Sequence, residues 1–585
     1  MILFEQFFIP STAKLEVSKK DKSKGEIYIM SKRILSIVSI LLALVMLVSC
    51  GGGTTGGGTG GASTGGGSTG GAPTPESTGN VLIEVDARDG MPMEPPSGAK
   101  LAEHIDIISN DTNLTVVSPM NPASSGYPST WIYLLIHDSL VASSAVGVYE
   151  PGLAKEWKTD DYKTWTFYLR EDAYFHNGDH FTAEDVLWTI EAARIYNTAQ
   201  PHSRWIKVES ARAIDPYTVE LTYFNPYPDL LSEISQGFMA ILNKRAHDEN
   251  PDDPAWGWIG TGPFKVTGWA TNDFISLERN DDYWGKAPLT KSLTLYTVPE
   301  MSTRLVMMRN GEAQLSFQMT PEDLDVLEND PNYNVYPIMF NEPAALAFNW
   351  QGDKYMTDIN FKKAIAYALN YEDIAEVALG RWAQAPWDGN LWGYDTQYRI
   401  NDPVAFPKWE QDLELAKEYL AKTDYSGEEI NLLVTAPQNI RAAELVQLQL
   451  EAIGIKTFVE QTDTPTLGSM KYDENPPPNR QMHLFSFAMS NFALISINYF
   501  TSHVNNRLNY NDPYFYDLAA QFGAAFEEEE REEIVHKIQE YWFETVPAIP
   551  LFWRLQGIAA EKGIGGIVLR SNQAHDMRGI FQVVD

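Results

Sequence analysis

The chain reads as an α/β or α+β protein with more than one sheet. Two observations predict this. From about residue 100 onward, segments of strand-like and helix-like patterning alternate. Hydrophobic residues at 44% and charged residues at 21% are globular values, which excludes disorder of the whole chain. No repeat with a period of about 20–50 residues is present. In chain order, Thr164 to Arg170 alternates as a strand, with Trp165, Phe167 and Leu169 on one face, expected in a core. Thr182 caps a helix running to Ile190, with Asp185 three residues on. Val219 to Tyr223 is a strand that ends at Asn225-Pro226. Phe361, Ile365 and Leu369 share one helical face. Leu445 to Ile453 is a helix closed by Gly454, and Ile455 to Val459 a strand. Phe526 to Tyr541 is a helix whose acidic run, Glu527–Glu530 and Glu532–Glu533, forms a solvated face. Gly178 and Gly262 suit turns where a side chain would clash.

The 585 residues correspond to three or four domain-sized units at roughly 100–200 residues each. The formal charge of −34 repels phosphate backbones and argues against a nucleic-acid binder. The single cysteine, Cys50, excludes an internal disulfide, a cysteine-rich zinc site and an iron–sulfur cluster. Its position is informative. Lys32 and Arg33 precede an apolar run from Ile34 to Val48, which is shorter than the roughly 20 residues of a membrane span. The run ends in Leu47-Val48-Ser49-Cys50, which resembles a bacterial lipobox. That resemblance implies a signal peptide over 30–49 and a lipidated Cys50, with an uncleaved signal anchor as the alternative. Residues 1–29 carry five lysines ahead of Met30 and are expected to be a mis-assigned start or extension. Residues 51–79 are almost wholly Gly, Ser, Thr, Ala and Pro, a flexible tether with a reach of roughly 30 Å. Setting aside the seven basic and four acidic residues of 1–49 leaves 37 basic and 74 acidic, so the exported part is the more acidic.

Signatures of enzyme chemistry are lacking. The sequence contains no GxSxG, HExxH or Walker loop. His176 and His180 are four apart, but Asn177-Gly178-Asp179 between them is a turn, not a helix face that could share a metal. Paired carboxylates are uninformative in so acidic a chain.

Residues 150–186 closely resemble the bacterial extracellular solute-binding proteins of the oligopeptide, dipeptide and nickel group (family 5). The family pattern is PGLAesW, then DgktwtFhLR, then FhdGeplTAeDV. Pro151-Gly152-Leu153-Ala154, Trp157, Trp165, Phe167, Leu169, Arg170, Phe175, His176, Gly178, Thr182, Ala183, Asp185 and Val186 match it. Further matches follow in order: Gly260 to Lys265 (GTGPFK), Arg279 to Trp284 (RNDDYW), Phe361 to Leu369, Gln449 to Lys456, and Pro547 to Leu551. Asn370 stands where the family usually has Asp. The resemblance spans about residues 100–555. It implies an α/β, periplasmic-binding-protein-like fold: two lobes with a hinge and a subdomain inserted in the first lobe. The first lobe would comprise 80–138, 240–343 and 555–585, the insertion 139–239, and the second lobe 344–554. Solute would bind in the cleft, and the closed form would dock on an ABC permease. No catalytic residue, cofactor or metal is implied. A monomer is expected, held to the membrane only through lipid.

Three places map to ligand contacts by the same resemblance. Ser125 and Tyr127 align with the ligand-facing loop of the first lobe, since Asp138-Ser139-Leu140 falls where the family has E-G-L. Phe487, Ser490 and Asn491 align where peptide-binding members have a Trp and, three residues on, an Asp that pairs with the ligand's α-amino group. Here those positions are Phe487 and Ser490, and a hydroxyl lacks the countercharge an ammonium needs in a closed cleft. Third, Trp382, Trp387, Trp392 and Tyr394 crowd one segment whose rings could stack on sugars or apolar side chains, or instead pack the segment onto its own lobe. His202 and Trp205 are additional candidates. The expected function is solute capture, with oligopeptide ahead of oligosaccharide. A surface hydrolase and a sensory or adhesive lipoprotein are the other classes.

Overall fold

Two long antiparallel strands organise the computed structural model. It describes residues 91–109, 130–145, 148–195, 202–251, 253–350, 354–385, 409–435, 437–462, 481–486, 510–570 and 575–584. In chain order the strands that matter are β1 (His104–Ser109), β2 (Ala154–Thr159), β3 (Thr164–Leu169), β4 (Val208–Asp215), β5 (Thr218–Tyr223), β6 (Phe264–Ala270), β7 (Phe274–Arg279), β8 (Ser292–Thr297), β9 (Leu315–Ser316), β10 (Tyr333–Phe348), β11 (Ala383–Gln384), β12 (Ile430–Val434), β13 (Thr457–Gln461), β14 (Met482–Ser486) and β15 (Ala548–Glu561). The main sheet runs β13-β12-β14-β10-β15-β9-β1-β8-β7-β6, with β11 on β15. A second sheet, β2-β3-β5-β4, lies within residues 154–223.

β10 and β15 pair from Tyr333↔Glu561 to Ala347↔Ala548. One half of this ribbon belongs to one apolar core and the other half to another. Ile338 and Ile558 join a core built from residues 91–317 and 558–580. Ala344, Leu346, Ile549, Leu551 and Phe552 join a core built from residues 344–552. Between them the register slips, from Met339 to Pro343. Such a bulge interrupts the ladder and bends the strand, and proline removes a donor there. The alternation of β10 then serves both faces of the second body: Ala345 and Ala347 point away from Ala344 and Leu346, into a helical layer with Ile534, Val535, Ile538 and Trp542.

The local expectations hold. Trp165, Phe167 and Leu169 are buried in the first core. The helix Ala183–Ile195 begins as a capping box, in which the Thr182 N–H donates to Asp185 Oδ2 at 3.0 Å. Asp185 Oδ1 also accepts the Lys244 N–H at 3.1 Å, so a sequence-level cap doubles as a tertiary tie. Gly454 closes its helix at φ 94°. Gly178 sits at φ 88° in the turn between His176 and His180. Both rings are committed: His176 to the Gly260 and Gly262 backbone, His180 to Glu171 O and Tyr217 OH.

The recognised motifs converge on one buried carboxylate. Asp138 Oδ2 accepts from Thr261 Oγ1 at 3.0 Å and Trp284 Nε1 at 2.9 Å, and Oδ1 accepts from Tyr283 OH at 3.1 Å. Arg170 stacks 3.8 Å from the Trp284 ring. Burial holds Asp138 above the usual carboxylate range despite these donors. Gly262 is required because a Cβ there would come within 2.5 Å of the Ile136 carbonyl carbon. These motifs therefore build the first core rather than contact a solute.

Candidate ligand cleft

Sheet direction locates the site. In the first body, β8, β1 and β9 are mutually parallel, and β9 runs against β15. In the second, β12, β13 and β14 are mutually parallel, and β14 runs against β10. Because β10 and β15 are themselves antiparallel, the two sets run in opposite senses. The carboxyl ends of both sets point at the bulged middle of the ribbon: Ser316 pairs with Ala559 from one side, and Ser486 with Ala344 from the other. Open α/β sheets bind ligands at strand carboxyl ends. Here two such rims oppose each other across a bend, which makes this the candidate cleft.

Small polar groups stand on both rims. Ser316 Oγ, Gln318 Oε1 and Ser486 Oγ are buried and have no hydrogen-bond partner among the described residues. Buried polar atoms are ordinarily paired, so these three are candidate donors and acceptors for a solute. Gln318 adopts φ 58°, uncommon for a residue with a side chain. Fully buried Arg304 clamps that turn, donating to Val298 O at 2.7 Å, Pro299 O at 3.0 Å and Gln318 O. Sequence reasoning missed these residues. A serine or glutamine ending a short strand carries no pattern of its own, and only the topology reveals what it faces.

Of the sequence-predicted contacts, Ser125, Tyr127, Trp387, Trp392, Tyr394, Phe487, Ser490 and Asn491 lie outside the described residues, as does Cys50. His202 begins the short helix His202–Trp205. Trp205 is 1% exposed and belongs to the first core, with its Nε1 buried and without a hydrogen-bond partner among the described residues. The large apolar area of the ring favours burial over solvent contact. Trp382 is a correction. It is 3% exposed and packs with Leu324 and Leu327, its ring filling the space over Gly557, while its Nε1 donates to Asp325 Oδ1 at 3.1 Å. That ring joins the two bodies instead of facing a ligand.

One nucleophile-like line exists elsewhere. His104 Nδ1 lies 2.7 Å from Ser292 Oγ, and its Nε2 lies 3.0 Å from Asp106 Oδ1. It follows from strand register, since Ser292 pairs with His104 and Thr294 with Asp106. The Asp106 N–H donates to Gln314 Oε1 at 2.8 Å and the Ser292 N–H to Glu103 O at 3.0 Å, and the His104 side chain is 42% exposed.

Comparison with known proteins agrees with this architecture. Residues 148–506 match the profile described as bacterial extracellular solute-binding proteins, family 5 Middle. The periplasmic oligopeptide-binding protein OppA of Haemophilus influenzae is 24% identical over 503 residues, covering 78% of this chain and 90% of OppA. The crystal structure of the ABC transporter substrate-binding protein CtaP from Listeria monocytogenes superposes with a TM-score of 0.73 at 20% identity, covering 83% of this chain and all of CtaP. NikZ from Campylobacter jejuni, solved in complex with Ni(L-His), gives a TM-score of 0.67 at 19% identity over 80% of this chain and 96% of NikZ. With two cores, opposed strand rims and a profile match over more than half its length, the chain belongs to the family 5 bacterial extracellular solute-binding proteins.

Proposed function

We propose that this protein is a lipid-anchored binding protein that captures an extended solute, an oligopeptide, between its lobes and delivers it to the permease of an ABC importer. The observation that carries the reading is the opposition of the two strand rims across the bulged ribbon, with Ser316, Gln318 and Ser486 offering uncommitted polar atoms. Peptide backbones present alternating donors and acceptors that such groups can meet without reading side chains. OppA, alike over most of its length, is named for oligopeptide binding. On this reading the first lobe comprises 80–138, 240–343 and 555–585, with 139–239 inserted, and the second lobe 344–554. Closure excludes water and strengthens each polar contact. Micromolar affinity, about 8 kcal/mol, is sufficient for capture.

Oligosaccharide binding is the second reading, favoured by Phe487 and Ser490 at the positions where peptide binders carry Trp and Asp. It is weakened by the enclosure of Trp205 and Trp382, two of the aromatic rings on which it drew. Native mass spectrometry of the purified protein decides between them. A spread of peptide masses supports the proposal; a ladder spaced by hexose units, or a metal chelate, overturns it. The anchor is read at Cys50. Among the described residues, no helix is long and apolar enough to cross a membrane. Cys50→Ser should release the protein from the membrane fraction, and retention would refute the lipid anchor.

A further inference from the structure

We propose that Arg531 and Asp229, flanked by Tyr162 and Phe526, form a clasp between the lobes that sets how readily the cleft closes and thus tunes solute affinity without touching solute. The proposal rests on the hinged-cleft reading above.

The two sides of the clasp belong to different cores. Arg531 stands on the helix Glu528–Thr545, whose Ile534, Val535, Ile538 and Trp542 pack with Ala345 and Ala347 of β10. Asp229 immediately precedes the helix Leu230–Ile234, whose Leu230 and Ile234 lie in the first core. The Arg531 Nη2 donates to Asp229 Oδ1 at 2.6 Å, and the side chains are 4% and 7% exposed. Arg531 is also held from its own side: Nη1 donates to Phe522 O at 3.4 Å and Ala525 O at 3.2 Å, and the guanidinium lies 4.1 Å from the Phe522 ring. It therefore presents one edge, pre-oriented, to the opposite lobe. On that lobe Glu233 is paired with Arg204 at 2.6 Å, and Lys207 reaches Tyr227 OH at 2.7 Å.

A buried ion pair adds little over an apolar pair, but losing one partner leaves a charge without compensation. In a hinged molecule, opening re-solvates that charge. Closure is thus conditional on the pair. Burial pushes Asp229 up to about 6 against the pull of Arg531, with Glu233 adding to the rise. The carboxylate is costly to enclose, as a contact made only on closure should be.

Tyr162 supplies an independent sign. It sits between β2 and β3 at φ 52°, where glycine or asparagine is the ordinary choice, and it occupies the g of the family pattern DgktwtFhLR. Asp161 Oδ1 holds the turn by accepting from the Lys163 and Thr164 N–H groups at 2.9 and 2.7 Å. The ring is 37% exposed and meets Trp165 of its own core edge-on at 6.1 Å. It stacks on Phe526 of the other lobe at 5.1 Å and 19°.

The test uses the full chain carrying Cys50→Ser, with spin labels at Glu156→Cys and Glu540→Cys, both exposed and one on each lobe. Pulsed dipolar spectroscopy reads the distance between lobes. Asp229→Ala should shift the distribution to longer distances and lower the closed-to-open ratio at least about tenfold. Tyr162→Gly should shift it the same way while holding or raising the melting temperature, because glycine suits the left-handed turn. Should Asp229→Ala fail to fold, Tyr162→Gly carries the test. Unchanged distributions overturn the clasp. If removing bound solute from the parent chain with guanidinium and refolding lengthens the distance while the variants do not, only the clasp fails. If neither lengthens it, the hinged cleft fails as well.

Discussion

Two junctions between the lobes, among the described residues, are of opposite character. Beside the bulged ribbon, Trp382 is buried among Leu324, Leu327 and the face of Gly557, while the charges there are outside: Arg381 pairs with Asp325 and Glu328, all about half exposed. At the far junction the order is inverted. The ion pair Arg531–Asp229 is enclosed, and the aromatic pair Tyr162–Phe526 is exposed. An apolar contact loses its burial whenever it parts, so it holds parts that stay together. A buried ion pair recovers hydration when it parts, so separation is cheaper and the contact is more selective about alignment. On the clasp proposed above, the inversion corresponds to a hinge at the Trp382 junction and a moving edge at the Arg531 junction.

Substitutions can break that contrast. Trp382→Ala should have the largest effect, about 3–5 kcal/mol of global stability, read from the urea midpoint. It should leave the distance between labelled lobes nearly unchanged in the folded fraction; a large opening without loss of stability would reverse the assignment. Next is Lys362, which anchors the far end of the clasp helix by donating to Thr545 O at 2.6 Å under the Trp350 ring. Burial brings it down to about 7. Since an exposed lysine titrates near 10.5, the unfolded chain holds a proton between pH 7 and 10.5 that the folded chain has shed. Stability should rise across that window. Lys362→Met should remove about 3 kcal/mol of the rise, measured by denaturation at pH 7 and 10; an identical slope would show that Lys362 is not the titrating group. Phe526→Ala should cost only about 1 kcal/mol of closed-state preference. Arg381→Ala should be smallest, below about 1 kcal/mol and vanishing in high salt, because its pairs are exposed. A larger loss would mean that the hinge also depends on charge.

Much of the frame was legible in the sequence. The alternation of Trp165, Phe167 and Leu169 marked a strand face, and Thr182 with Asp185 marked a helix start, because short-range periodicity and capping act within a few residues. Arg531 shows where that reasoning stops. It lies inside a run of acids whose members Glu527, Glu529, Glu530, Glu532 and Glu533 are exposed, as a solvated face predicts. Yet the one cation among them is buried, on a partner 302 residues away. Trp382 marks a related limit: an aromatic residue advertises area, not which side of the chain will cover it. Ser316, Gln318 and Ser486 acquire meaning only from two strand sets that meet end to end.

That end-to-end meeting also bears on how such a protein diversifies. The ladders of β10 and β15 tie the frame together through backbone groups, whereas the proposed solute contacts lie at strand ends. A change of side chain at Ser316 or Ser486 leaves the backbone ladder of the frame in place. A lineage can therefore exchange one cargo for another by rewriting connections, and inherit its moving parts unaltered.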